Sequence, residues 1–450
     1  MDSLEAIWWG KYCLLGTNKH PPLSGFPAYG IYLLLSENVK AIYFLSQICV
    51  LIGFVYLYKL AIKLLKQTKV AVLSVMIMEG CVFYGYCSPE YNVNVLSLAI
   101  WPMCAYYFYL SITENKLKWW ILAAIVCGLN MLNKYTSGLQ LLGFSLLMIV
   151  TEEGRKCLKS YKPYIGLLIF ILLLSPHIYW LYEHDFMVLE YFSERSGKEI
   201  IKKWTDHIVY PSKFVASLFF YGLGSILIFA IAFKGKYKYQ FNTQGFQSKF
   251  LFYTGIFPII FIFIWGIING NPIKSMWGFP LLYLLGIILF SGMPQNITEK
   301  VYIKTQKIIY VWMIIMGMVY SMNIVLSNSP KYNLDGRAFA KSFTRKWQQH
   351  SGKTLKYVFG DIWLSSILVL ESMDKPSPVI WGKAYRNPWL DEQDVKQNGG
   401  IIFAESLTEY GQYTSEHSKV SAPQIIKFKF NNILGKSREK RYYYGFIEGE

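Results

Sequence analysis

Charge is what this chain has least of. Only 16% of its 450 residues are Asp, Glu, Lys or Arg, while 53% are hydrophobic. Soluble domains carry about 25% charged residues, so the deficit excludes an ordinary soluble enzyme and favours a membrane protein. Cysteine is sparse and patternless. Cys13, Cys49, Cys81, Cys87, Cys104, Cys127 and Cys157 include no CxxC and no Cys/His metal spacing. Most lie inside apolar runs and read as buried free thiols; a Cys13–Cys87 bridge stays open. There is no internal repeat or low-complexity tract, and the segment after Leu326 has no Gly-rich phosphate loop or nucleophile elbow. A net charge of +17 would suit nucleic acid, yet no RNP-like stretch, zinc-finger spacing or long basic helix accompanies it, and nucleic acid is dropped as a partner. No basic segment followed by an apolar run precedes Asp2, so no cleavable leader is expected.

What is present is a series of apolar runs near the ~20 residues needed to cross hydrocarbon. Ten spans are predicted, at about 43–65, 70–86, 93–112, 119–132, 138–150, 164–181, 212–233, 251–268, 276–290 and 308–326. The fourth and fifth are short. A single helix through both would be about 50 Å long, too long for a bilayer, so a break is expected at Asn133–Ser137. Basic residues collect at the far ends of odd-numbered spans and in the loops after them: Lys59, Lys63, Lys66 and Lys69; Lys116 and Lys118; Arg155, Lys156, Lys159 and Lys162; Lys234, Lys236, Lys238 and Lys249; Lys300, Lys304 and Lys307. The positive-inside rule makes those loops cytoplasmic and puts both ends of the chain outside.

After Leu326 the pattern changes. "LKYVFGD" alternates as a strand and leads through Asp361, a candidate N-cap, into the helix "IWLSSILVLESM". "SPVIWG", "GGIIFAES" and "IIKFKF" read as further strands. The predicted architecture is an α-helical polytopic membrane protein of about ten spans (residues 1–327) with a small extracytoplasmic α/β domain (residues 328–450).

The polar chemistry lies in the outer loops. In "MDSLEAIWWG", Asp2 and Glu5 are at i and i+3, with Trp8 and Trp9 one turn on. Carboxylates beside indoles suit a site that grips sugar hydroxyls and deprotonates one; an interfacial amphipathic helix has the same look. "TNKHPPL" is a proline-stiffened turn holding Lys19 and His20, a cation suited to phosphate or merely a snorkelling side chain. Glu90, Asn92 and Asn94 stand where the third span begins; one Asn suffices for capping. Lys134, in "NKYTSG", is an ionisable group close to hydrocarbon and pairs most naturally with a lipid phosphate. His177 and His184, in "SPHIYWLYEHDF", are about 10 Å apart along a helix, too far to share one metal ion. His177 is placed to hydrogen-bond a substrate or to serve the structure.

In this order the pieces resemble the integral-membrane glycosyltransferases of superfamily C, the family 39 group of protein O-mannosyltransferases and lipid A aminoarabinose or galacturonic-acid transferases. The resemblance runs through "DSLEAIWWGKYCLLGTNKHPPLSGF", "PEYNVNVLSLAIWP", "LNKYTSG", "SPHIYWLYEHDF" and the tail "GDIWLSS…NPWLDEQDVKQNGGIIFAE". It implies transfer of a sugar from a polyprenyl-phosphate donor to a lipid or glycan acceptor, lipid A or another envelope glycan, outside the inner (plasma) membrane. Asp2 and Glu5 would be the catalytic acids, Lys19, His20, Lys134 and Tyr135 the donor-phosphate ligands, and Glu90, Asn92, Asn94 and His177 the substrate contacts. No metal ligand set is assigned, and a divalent metal is left open. The sequence departs from the family in the spacing of the acidic pair, in Asn92 and Asn94 where many members carry an acid, and in having Met1 directly before Asp2 where the family has a span. Two other readings remain beside the enzyme: a transporter or lipid flippase, for which broken helices and midplane charges are expected, and a truncated inactive relative.

Overall fold

The computed structural model describes residues 2–195, 203–233, 245–293, 297–327, 334–382, 387, 389–431 and 437–449. Lys234, Lys236 and Lys238 of the expected cytoplasmic loop lie outside them. In chain order the helices are α1 (Asp2–Lys11), α2 (Gly25–Leu34), α3 (Ala41–Leu65), α4 (Thr68–Met76), α5 (Val93–Glu114), α6 (Leu117–Asn133), α7 (Gly138–Val150), α8 (Glu152–Leu158), α9 (Lys162–Glu183), α10 (Met187–Arg195), α11 (Asp206–Phe233), α12 (Phe246–Leu251), α13 (Phe257–Asn269), α14 (Leu285–Ser291) and α15 (Glu299–Leu326). The chain forms two compact units. One holds Lys19–Ser24 and Ile42–Gly317; the other joins Met1–Asn18, Gly25–Ala41 and Met318–Glu450. The division expected at residue 327 therefore leaves out α1 and α2, which group with the tail.

In the first unit α5 is the central span. Its sequence is apolar on every side, as a helix surrounded by others requires, and 83% of its apolar window is buried. Asn92 starts it, its side-chain oxygen accepting from the Asn94 and Val95 amides at 2.8 and 3.3 Å, and Asn115 ends it in the left-handed conformation. Among the described residues six helical segments are long and apolar enough to cross a membrane: α3, α5, α9, α11, the run through α12 and α13, and α15; α6 and α7 are shorter apolar helices. The break expected near Asn133–Ser137 is present, as a short 3-10 turn at Tyr135–Ser137 between α6 and α7.

Two expected spans are corrected. Residues 70–86 are not one helix: α4 stops at Met76, a 3-10 turn follows to Gly80, and turns continue to Pro89. Residues 276–290 likewise divide into a 3-10 segment, Ser275–Leu282, and α14. The half-helices α4 and α14 pack on each other, and a Cβ on Gly286 would lie 1.9 Å from the Ser74 carbonyl oxygen. Only glycine allows this approach, the usual device where helices gain by van der Waals packing rather than by the hydrophobic effect.

In the second unit the tail adds α16 (Gly336–Ser351), α17 (Ile362–Glu371), α18 (Glu392–Asn398) and α19 (Leu407–Thr414) around a sheet of β1 (Tyr357–Gly360), β2 (Ser377–Ile380), β3 (Gly400–Ala404), β4 (Gln424–Asn431) and β5 (Ser437–Ile447). The order is β2-β1-β3-β5-β4. β1 is parallel to β2 and β3, and β5 is antiparallel to β3 and β4. Alternation along the strands builds two cores. Val358, Ile401, Phe403, Tyr442 and Tyr444 meet Phe339, Phe343, Trp347 and Leu364 on one face. Phe359, Ile402, Ala404 and Tyr410 meet Val395 on the other. Asp361 caps α17 as expected, its carboxylate accepting from the Leu364 amide at 2.9 Å. Leu4 of α1 packs against the first core, and a Cβ on Gly10 would stand 2.2 Å from the Gly25 carbonyl oxygen, so α1 and α2 touch backbone to backbone. All seven cysteines are free thiols.

Candidate active site

The polar residues of the first unit gather at the start of α5 and the end of α6. Asn133 is fully buried and donates to the Val93 carbonyl at 2.8 Å and to Ser97 Oγ at 2.9 Å. Its neighbour Lys134 reaches the adjacent residue of the same helix end, donating to Asn94 Oδ1. These two rungs fix the turn between α6 and α7 to the first turn of α5. Behind them a satisfied network stiffens the turn: Ser137 donates to Asn130 at 2.9 Å, Asn130 to Gln140 at 3.0 Å, and Gln140 to the Trp101 carbonyl at 3.0 Å. Around this frame three buried atoms have no hydrogen-bond partner among the described residues: Asn133 Oδ1, Thr136 Oγ1 and Ser24 Oγ.

Lys134 is 7% exposed, and no carboxylate pairs with it among the described residues. It lies between the two short helices, outside both. Burial pushes its ammonium down to about 7, because desolvation penalises the charged form and no described carboxylate repays it. A buried cation held by one neutral amide is expensive, and the arrangement fits a site completed by an anion.

The HPPL turn is brought to the same place. The Leu23 amide donates to the Leu132 carbonyl at 2.9 Å, and the Tyr91 hydroxyl donates to the Ser24 carbonyl at 2.9 Å. Lys19 and His20, both half-buried, are thereby tied to the segment that carries Lys134. Tyr135 and His177 are also together, hydroxyl to Nε2 at 2.9 Å. His177, Trp180 and His184 form a stack, with the indole between the imidazoles. Among the described residues no group of three or more His, Cys, Asp or Glu gathers. Asn92 is occupied as a cap, and its amide donates to the Glu90 carbonyl at 3.0 Å; Glu90 itself is exposed.

Asp2 and Glu5 belong to the second unit, where α1 is set by its indoles. Trp8 is 1% exposed and donates from Nε1 to Ser366 Oγ of α17 at 3.2 Å. Its ring meets Trp389 at 5.0 Å, and Tyr12 donates to Ser377 Oγ at 2.7 Å. Glu5 is 2% exposed, whereas Asp2, at the helix start, faces solvent. The expected helical pair is thus divided into one interior and one surface carboxylate. Sequence reasoning missed Ser24, Tyr91, Asn133 and Thr136 as parts of the frame. Their one signal was small polar residues interrupting apolar runs, and the quoted "LNKYTSG" contained two of them.

With the geometry in place, comparisons with known proteins become informative. Residues 19–180, the segment holding the HPPL turn, Asn94, Lys134 and His177, match the family described as dolichyl-phosphate-mannose-protein mannosyltransferase. No curated protein matches the sequence. Among solved structures, ArnT from Cupriavidus metallidurans in the apo state superposes with a TM-score of 0.60 at 10% identity, covering 99% of this chain and 91% of that one. The same protein bound to undecaprenyl phosphate gives a TM-score of 0.61 at 10% identity, covering 99% and 93%. The chain therefore has the ArnT fold along almost its whole length, and its resemblance to the superfamily C membrane glycosyltransferases is borne out.

Proposed function

We propose that this protein is a membrane glycosyltransferase that moves a sugar from a polyprenyl-phosphate donor to a hydroxyl of an extracytoplasmic acceptor, lipid A or another envelope glycan. The observation that carries the reading is Lys134: a buried ammonium without a carboxylate partner among the described residues, fixed to the start of α5 within the segment that matches the mannosyltransferase family. A lipid phosphate supplies the missing charge. The structure determined with undecaprenyl phosphate supports the same donor class here. In this reading Lys134, with Lys19 and His20 on the neighbouring turn, neutralises the phosphate as it becomes the leaving group. Tyr135 and His177 act as a hydrogen-bonded pair at its side. Asn94 positions the ammonium, and Glu90 lines the approach with Asn92 behind it.

Acceptor activation falls to α1. Asp2 takes the hydroxyl proton as general base, and Glu5, inside the helix packing, supports it. The charge pattern of the loops supports a site on the extracytoplasmic side of the membrane. Interrupted segments, which the sequence reading attached to transporters, do occur here, at residues 77–89 and 275–284. The first leads directly into Glu90 and Asn92, and the second brings the Tyr283 ring within 5.6 Å of Trp101. The polar residues themselves gather at one helix end, which favours a transferase over a transport path with charges at the midplane. The test is mass spectrometry of envelope lipids and glycans from cells making the wild-type protein or Lys134→Gln. A species heavier by one sugar that disappears in the variant supports the reading. Identical profiles contradict it.

A further inference from the structure

Outside this site α16 is basic on one side only. The helix buries Phe339, Ala340, Phe343, Thr344 and Trp347. Its exposed side carries Arg337, Lys341 and Arg345 at i, i+4 and i+8, one row along the surface. After the capping Asp335 the helix contains no acid. Some neighbouring charges are compensated: Arg337 meets Glu371 at 3.2 Å, and His350 meets Glu448 at 3.3 Å. Lys346 lies along Tyr444, with Nζ 3.1 Å from the hydroxyl. Lys341 and Arg345 have no acidic partner among the described residues, and like charges at i, i+4 disfavour the helix that holds them. Among the described residues only Glu371, beside Arg337, offsets part of that cost.

Chain connectivity supplies the second argument. α15, the last span, ends at Leu326, ten residues before Gly336. Ten residues reach at most about 35 Å, so the row is tethered near the end of a span. Basic residues this close to a span are normally kept on the cytoplasmic side. On the topology proposed above the tail is outside, so retention of positive charge does not explain them. We propose that the Arg337–Lys341–Arg345 row binds the phosphates of anionic phospholipid headgroups and docks the tail domain on the membrane surface. The apolar side of α16 is already used by the sheet, so the contact is electrostatic and involves no insertion.

The test is hydrogen exchange of α16 in the full-length protein, in nanodiscs of phosphatidylcholine alone and of phosphatidylcholine mixed with phosphatidylglycerol. Each basic residue near an anionic surface is worth about fivefold in binding, so two give roughly 25-fold. Protection of α16 should rise when phosphatidylglycerol is present and fall again at high salt. Lys341→Gln with Arg345→Gln should lose about 25-fold of that added protection. The charge-preserving pair Lys341→Arg with Arg345→Lys should keep it, which separates lost charge from a damaged helix. Equal exchange in the two lipid mixtures, or a glutamine pair that retains the phosphatidylglycerol effect, overturns the proposal and leaves the glycosyltransferase reading untouched.

Discussion

Lys134 makes a prediction in which two measurements must move in opposite directions with pH. Its ammonium is held near 7 by burial, against about 10.4 for an exposed lysine. The folded value is depressed, so the unfolded chain binds this proton more tightly. Stability without ligand should therefore rise as pH increases from about 7 to about 10, by up to about 4 kcal/mol from this one group. Ligand affinity should do the reverse. A lipid phosphate needs the charged ammonium, so above pH 7 the Kd of undecaprenyl phosphate should climb, approaching tenfold per pH unit. Below about 6 it should climb again as the phosphate loses its second charge. Tightest binding falls between pH 6 and 7. Lys134→Met, which keeps the side chain's bulk and removes the charge, should leave the ligand-free protein at least as stable. It should weaken binding by about 1.5–3 kcal/mol, roughly 10–150-fold. Both quantities are measured on the purified protein in nanodiscs, by thermal unfolding and by titration with undecaprenyl phosphate. An affinity flat between pH 6 and 9, or unchanged in Lys134→Met, would refute the reasoning.

Other expectations concern α1. Asp2→Asn should lower turnover by about 10²–10⁴-fold with the protein still folded, and Glu5→Gln should cost less if it only supports the base; equal turnover of Asp2→Asn and wild type removes Asp2 from catalysis. Gly10→Ala forces a methyl against the Gly25 carbonyl and should destabilise the second unit by about 1–3 kcal/mol, read as a lower unfolding temperature; an unchanged temperature would show that α1 and α2 are not packed this closely.

Where local pattern and packing agree, the sequence was readable. Four of the tail's strands, the Asp361 cap and the break after Asn133 follow from alternation, capping chemistry and bilayer thickness, whereas β5 (Ser437–Ile447) was not read from the sequence. The segments 70–86 and 276–290 were not readable as interrupted. A hydropathy window counts apolar residues and is blind to whether the backbone between them stays α-helical. Gly80, Gly278 and Pro280 were the faint signs of 3-10 geometry. The site shows the same division. Lys134 was conspicuous as a charge at a span end, whereas Asn133 beside it looked like an ordinary helix terminus. Its value comes from Val93 and Ser97, which are distant in the chain. Trp8 is similar: the indole was visible, but its partner Ser366 lies 358 residues away, and only the fold brings them together.

The central claim is that the turn at Lys134 holds the phosphate of a polyprenyl carrier. Photo-crosslinking tests it most directly, using undecaprenyl phosphate that bears a diazirine next to the phosphate and mapping the adduct by mass spectrometry. The account predicts label in the peptides spanning 19–24, 90–97 and 132–140, competed by unlabelled undecaprenyl phosphate and lost in Lys134→Met. Label confined to the lipid-facing surface of α9 or α15, and unaffected by that substitution, would contradict it.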